Sequence, residues 1–211
     1  MPGKLQAPPG TFDVLPEDGR KRRELYRRAG AVLTRAGYLP FDSPVMEDVE
    51  VYVRGVGEST DIVRKEMFTF EDMGGRSLAL RPEGTAGVCR AYAQHGMHKA
   101  AQPVKLWYWG PFFRHERPQA GRYRQFAQVG VEALGSDDPS LDAESVLLLA
   151  ELLEAAGVRE CTLRLSSLGT AESRAAYLAE LRAHLREHEA RLSQEVISRI
   201  DENPLRAFDA D

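Results

Sequence analysis

Apolar residues recur at helical spacing along residues 19–36, at Leu25, Ala29, Val32, Leu33 and Ala36, and Gly37 stops the pattern. The opposite face carries Arg20, Lys21, Arg23, Arg27 and Arg28, which reads as a solvated face. Ahead of it, Pro2, Gly3, Pro8, Pro9, Gly10 and Pro16 predict an extended arm over residues 1–18. Residues 38–45 read as a strand broken by Pro40 and Pro44. Residues 46–66 are polar, with Gly55, Gly57 and Asp61, and predict a mobile loop. Segments 65–70 and 77–81 form a hairpin across Gly74 and Gly75, followed by a helix over 85–94. Two long apolar runs, 105–115 and 124–134, predict paired strands. A leucine-rich helix spans 139–156, with Asp137 or Asp138 at its N-cap. A strand over 161–168 and a charged, bent or broken helix over 171–200 complete the chain, before Asn203-Pro204. Strands joined mostly by hairpins, with helices packed on them, give an α+β fold with a mostly antiparallel sheet.

Between the long strands lies Phe113-Arg114-His115-Glu116-Arg117-Pro118-Gln119-Ala120-Gly121-Arg122-Tyr123-Arg124-Gln125-Phe126. Pro118 and Gly121 mark a turn that carries four arginines. Guanidinium forks suit phosphate, and an aromatic beside them can stack on a base. The 211 residues carry a net charge of −4, so any contact with nucleic acid must be local. Cys89 and Cys161 sit in apolar runs and read as reduced, buried thiols of a cytoplasmic protein. No apolar run reaches membrane-spanning length. The Gly55/Gly57 pair lacks the Lys-Ser or Lys-Thr ending of a P-loop.

These residues resemble motif 2 of class II aminoacyl-tRNA synthetases, and the wording is most similar to the histidyl-tRNA synthetases. The resemblance extends to Gly10-Thr11-Phe12-Asp13-Val14-Leu15-Pro16, to Leu80-Arg81-Pro82-Glu83-Gly84-Thr85-Ala86-Gly87 and to Asn203-Pro204-Leu205-Arg206. It implies ATP-dependent activation of histidine and transfer to the acceptor end of tRNA(His), with Mg2+ accompanying ATP. On the matching positions it assigns Arg114 to the α-phosphate and the amino-acid carboxylate, as the catalytic residue. Glu116, Arg122 and Phe126 join Arg114 at ATP, with Phe126 stacked on adenine. Glu83, Thr85, Gln128 and Glu132 would hold histidine, and Arg117 and Gln119 would meet tRNA. Strand alternation independently puts Phe126, Gln128 and Glu132 on one face. Taken alone, Glu83 is also placed to cap the helix that begins at Thr85. Residues 19–36, the following strand and Pro44 match motif 1, which implies a homodimer with Pro44 at its interface.

Ala127 departs from the family pattern, which has histidine or a larger residue there, and this puts the packing behind the site in question. The resemblance divides the chain into a class II core over 1–170 and a helical segment over 171–211. It further implies that motif 3 and an anticodon-binding domain are missing, so that the chain is a fragment, inactive alone. A regulatory, non-charging relative, the regulatory subunit of ATP phosphoribosyltransferase, shares the fold; Arg117-Pro118-Gln119 and the Arg81–Thr85 stretch favour the synthetase. His184 and His188 have a zinc spacing, as His95 and His98 nearly do. No cysteine or third histidine accompanies either pair, so solvated surfaces and no metal are expected.

Overall fold

The computed structural model describes residues 4–57, 60, 62–167 and 169–209. The chain forms two compact units, Met1–Glu160 and Cys161–Asp211. The division falls ten residues before the boundary expected from the sequence.

The first unit opens with an arm that gives way to helix α1, Pro16–Arg35, three residues earlier than the apolar pattern suggests. Pro16 has no amide hydrogen to lose at the first helical position, and Glu17 and Asp18 suit the positive end of the helix dipole. The helix ends on a Schellman arrangement: Gly37 N–H donates to Thr34 O, Tyr38 N–H donates to Leu33 O, and Gly37 takes φ +83°. Leu33 and Tyr38, the hydrophobic pair of that motif, are both fully buried.

Two three-stranded sheets follow. In the larger, β1 (Leu39–Pro40) runs parallel to β5 (Val104–Phe113), and β5 pairs antiparallel with β6 (Gln125–Leu134). The smaller, antiparallel sheet has the order β2 (Met46–Asp48), β4 (Ser77–Leu80), β3 (Phe68–Glu71). The strand expected over 38–45 is therefore reduced to two residues before Pro44. The expected loop over 46–66 instead contains α2, Val49–Val56, capped by Asp48 accepting from Glu50 N–H, and a π-helical turn, Ile62–Glu66. Tyr52 of α2 is fully buried with Ala79 and Ala86, and that burial explains why a polar segment folds. Asp61 lies outside the described residues.

Strand β5 is covered on both faces, so Leu106, Trp107 and Tyr108 are all buried. Trp107 packs with Val32, Leu33, Tyr38 and Leu148 beneath α1 and α4 (Pro139–Ala155). Leu106, Tyr108 and Phe112 pack with Val88 of α3 (Thr85–Gln94) on the other side. Asp138 caps α4 by accepting from Ser140 N–H. Cys89, expected to be buried, is exposed, because Val88 and Ala91 hold the buried side of α3. Cys161 is exposed too, and both thiols are free.

In the second unit, residues 161–167 form no strand. Leu163 and Leu165 are largely exposed, and an extended segment becomes a strand only when a neighbour pairs its backbone. Leu168 is outside the described residues. The long charged helix is broken, as its sequence suggests. Helix α5, Ala171–Glu187, starts on a Thr170/Ser173 capping box; a 3-10 turn spans Glu189–Arg191, and α6 spans Gln194–Ile197. Leu185, Val196 and Ile200 form its core.

Arg81, 5% exposed, joins the two sheets of the first unit. Its Nε donates to Pro111 O at 2.9 Å and its Nη1 to Ser43 O at 2.9 Å. The guanidinium lies 4.5 Å over the Phe112 ring. Its backbone N–H donates to Val45 O and its carbonyl accepts from Phe113 N–H. Arg81→Ala strips donors from two carbonyls at about 1–3 kcal/mol each. Urea denaturation should show a loss of at least ~2 kcal/mol, whereas Arg54→Ala, on an exposed α2 pair, should stay within ~0.5 kcal/mol.

Candidate functional site

The register of the long hairpin builds the site. Phe126 faces Phe112, Gln128 faces Gly110, Gly130 faces Tyr108 and Glu132 faces Leu106. The alternate residues, Trp109, Val129 and Val131, pack with the cluster beneath α1 and α4. Phe126, Gln128 and Glu132 therefore share the face that alternation assigned to them.

Close packing at Tyr108 shapes one end of that face. A Cβ on Gly84 would fall 2.3 Å from the Tyr108 ring, and one on Gly130 would fall 2.2 Å from it. Only glycine admits the ring at both positions. The Tyr108 hydroxyl reaches Glu132 Oε1 at 3.3 Å, and the Thr85 hydroxyl donates to the same oxygen at 2.8 Å. Burial pushes the Glu132 carboxyl above its ordinary value; the Thr85 and Tyr108 hydroxyls oppose the shift and the charge of Glu83 adds to it. Glu83 accepts from Thr85 N–H at 2.7 Å and from Ala86 N–H at 3.0 Å, so its two oxygens cap α3. Sequence reasoning had this capping as the alternative to a histidine contact. Gln128 Oε1 is buried without a hydrogen-bond partner among the described residues. A buried acceptor of that kind is poised for a donor.

The arginine loop forms the other end. From Phe126 to Glu132 the strand runs about 20 Å. Arg114 folds back with its guanidinium 5.3 Å from the Phe126 ring centroid, and its Nε donates to Pro82 O at 3.0 Å. The base of the loop is fixed on two sides. His115 N–H donates to Glu66 O, and the amides of Arg124 and Gln125 both donate to Gly10 O. Gly10, with φ +82°, lies against the Arg124 side chain, and Phe12 packs edge-on against Tyr123. Gly121, with φ +80°, closes a tight turn in which Arg122 N–H donates to Gln119 O at 2.9 Å. Glu116 Oε2 is buried, accepts no hydrogen bond among the described residues, and has Arg122 Nε at 3.6 Å. Arg117, Gln119 and Arg122 are exposed.

The structure thus brings Arg114, Glu116, Arg122 and Phe126 together at one end of the face, and Glu83, Thr85 and Glu132 at the other with Gln128 between. Pro44 is exposed on the connection from β1 to β2. Sequence reasoning missed Tyr108 and, within the stretch it marked, the bridging role of Arg81. The Trp107-Tyr108-Trp109 run held the signal for Tyr108, since period two sends the tyrosine to the face opposite both tryptophans. Ala127 points to the rear, where a hollow of about 390 Å³ is lined by Phe12, Val14, Leu25, Trp109, Pro111 and Ala127 itself.

Comparison with known proteins is consistent along the whole chain. The family model described as Histidyl-tRNA synthetase matches residues 10–209. The chain is 51% identical over 212 residues to the histidine–tRNA ligase of Rubrobacter xylanophilus, covering 96% of this chain and 50% of that one. It is 52% identical over 201 residues to that of Thermus thermophilus, covering 95% and 48%. Among solved structures, apo S. aureus histidyl-tRNA synthetase superposes with a TM-score of 0.74 at 34% identity, covering 99% of this chain and 49% of that one. A Bacillus halodurans protein described as an ATP phosphoribosyltransferase regulatory subunit/histidyl-tRNA synthetase gives 0.65 at 29% identity, covering 76% and 40%. The chain spans about half the length of the curated relatives it matches. No helix among the described residues is long and apolar enough to cross a membrane.

The half-buried carboxyl of Glu132 gives a pH signature. A carboxyl raised above its ordinary 4.5 leaves stability intact while it is protonated and loses stability as pH climbs through the raised value. Glu132→Gln keeps an acceptor for both hydroxyls and removes the charge. The variant should therefore show a higher urea midpoint than the parent at pH 8, and the gap should close toward pH 4. A gap that is absent at pH 8, or that widens on acidification, would show that burial does not govern this group.

Proposed function

Because the chain belongs to the histidyl-tRNA synthetase family, we propose that it forms the ATP- and histidine-binding part of a cytoplasmic enzyme that activates histidine and charges tRNA(His). What carries this reading is the shared face of β6. Phe126 lies under Arg114 at one end, the half-buried Glu132 accepts from two hydroxyls at the other, and Gln128 Oε1 waits between them.

The chemistry follows from the charges. The histidine carboxylate attacks the α-phosphorus of ATP, a new P–O bond forms to the carboxylate, and the bond to the leaving pyrophosphate breaks. Arg114 stabilises the negative charge that gathers on the α-phosphate, and Arg122 extends the positive field along the phosphate tail. Phe126 supplies a stacking surface for adenine and Glu116 a buried acceptor beside it. Glu83, Thr85, Gln128 and Glu132 receive the ammonium and imidazole of histidine. Glu83 is bound to two helix amides and Glu132 to two hydroxyls, and neither is assigned to Mg2+. Mg2+ accompanying ATP would neutralise charge on the phosphates. Arg117 and Gln119, exposed on the loop, are the contacts for the acceptor end of tRNA.

A second reading has one specific support, the structural likeness to the Bacillus halodurans protein whose description includes a regulatory subunit. A regulatory relative would neither exchange pyrophosphate nor charge tRNA, and the same assays separate the two.

In an enzyme of the relatives' length, Arg114→Ala should lower histidine-dependent ATP–pyrophosphate exchange by about 100-fold or more. Arg117→Ala should leave exchange within a few-fold of the parent and slow transfer to tRNA. Equal damage to exchange from both variants would overturn the division of the loop into ATP and tRNA parts. Gln128→Ala should raise the KM for histidine about tenfold, as loss of one hydrogen bond would, and leave that for ATP nearly unchanged.

The proposed homodimer has an exposed apolar edge to use, at Leu39, Val45 and Met46 on either side of Pro44. Sedimentation should find a dimer at micromolar concentration, and Leu39→Asp combined with Met46→Asp should convert it to monomer. A parent that sediments only as monomer would remove this part of the proposal.

A further inference from the structure

We propose that His184, Glu187 and His188 form a surface site for a divalent transition-metal ion of the zinc class. The three residues close helix α5, whose last residue is Glu187 and whose C-cap is His188. His184 and His188 lie one turn apart, with ring centroids separated by 4.4 Å. One ligand atom from each of the three side chains lies within 4.8 Å of the others. Tetrahedral zinc needs ligand atoms roughly 3.4 Å apart. His184 and Glu187 are exposed, so their side chains have room for the small closure.

Three further features favour a cation here. His188 Nδ1 donates to the His184 carbonyl at 2.9 Å, which sets the ring and leaves Nε2 as the free lone pair. Metal-binding histidines are commonly oriented in this way. The C-terminal end of a helix carries partial negative charge. The nearby guanidinium of Arg186 is engaged by Glu189 at 2.9 Å and Asp201 at 2.5 Å, so its charge is balanced locally. Two imidazoles and one carboxylate suit Zn2+, Ni2+ and Cu2+ and do not suit Mg2+. Water would complete the coordination. The spacing of the histidines alone is weak, because it supplies only two ligands. The third comes from a glutamate that the helix places beside them, at the turn where α5 breaks. A bound ion would clamp that final turn.

The test is calorimetric titration of Zn2+ into the chain carrying Cys89→Ser and Cys161→Ser, since two exposed thiols would also take zinc. One equivalent should bind. His184→Ala and His188→Ala should each weaken binding at least ~10-fold, the smallest loss seen even when an outer partner of a metal ligand is removed. Glu187→Gln should weaken it less, and His95→Ala should leave it unchanged. Zn2+ should raise the thermal midpoint of the thiol-free parent and not that of His184→Ala, and Mg2+ should raise neither. Binding that survives His184→Ala and His188→Ala, or no binding up to millimolar Zn2+, overturns the proposal. Circular dichroism of each variant separates lost binding from lost structure.

Discussion

The buried guanidinium of Arg81 holds together pieces of chain that the backbone ladders leave separate. Its fork reaches Ser43 and Pro111, its plane covers Phe112, and its own peptide groups bond to Val45 and Phe113. Gly110 has no side chain because the Arg81 guanidinium occupies the space that a Cβ would need. A lysine could not replace these contacts, since a single ammonium lacks the planar fork. The three residues that follow Arg81 carry the next contacts of the site. Pro82 O receives Arg114, Glu83 caps α3, and Gly84 admits Tyr108.

From that anchor the two ends of the β6 face acquire different character. Around Tyr108 the packing is close, and Glu132 is desolvated under two hydroxyls. Selection between similar small ligands is strongest where polar groups are buried and must be matched. Around residues 114–124 the backbone is tied at its base, by Gly10 and Glu66, while Arg117 and Arg122 stand in solvent. Phosphate binding tolerates such exposure because permanent charge acts over distance. The proposed division of labour between amino-acid and nucleotide ends thus has a counterpart in burial.

The second unit follows a simpler logic. Its helices are capped and rich in surface charge, and Leu185, Val196 and Ile200 form its buried hydrophobic cluster. Leu163 and Leu165 show what happens to an apolar alternating segment that pairs with no strand here: they stay exposed. Periodicity specifies which face a strand would bury, and pairing decides whether it is a strand at all.

The sequence by itself determined the fold class, the long hairpin, α3 to the residue, and the common face of Phe126, Gln128 and Glu132. Each rests on a local period or a turn residue, and local rules carry that information. It also marked the stretch from Leu80 to Gly87 and the arginine loop, because their unusual composition has few other uses. Other features were decided by tertiary structure alone. Helix α2 forms in a polar segment because Tyr52 finds a buried place between Ala79 and Ala86. Cys89 is exposed because α3 turns Val88 and Ala91 inward. Tyr108 reaches Glu132 only because two glycines, 46 residues apart in sequence, meet the same ring. Such contacts join residues that no local pattern relates, so they become visible only when the chain has folded.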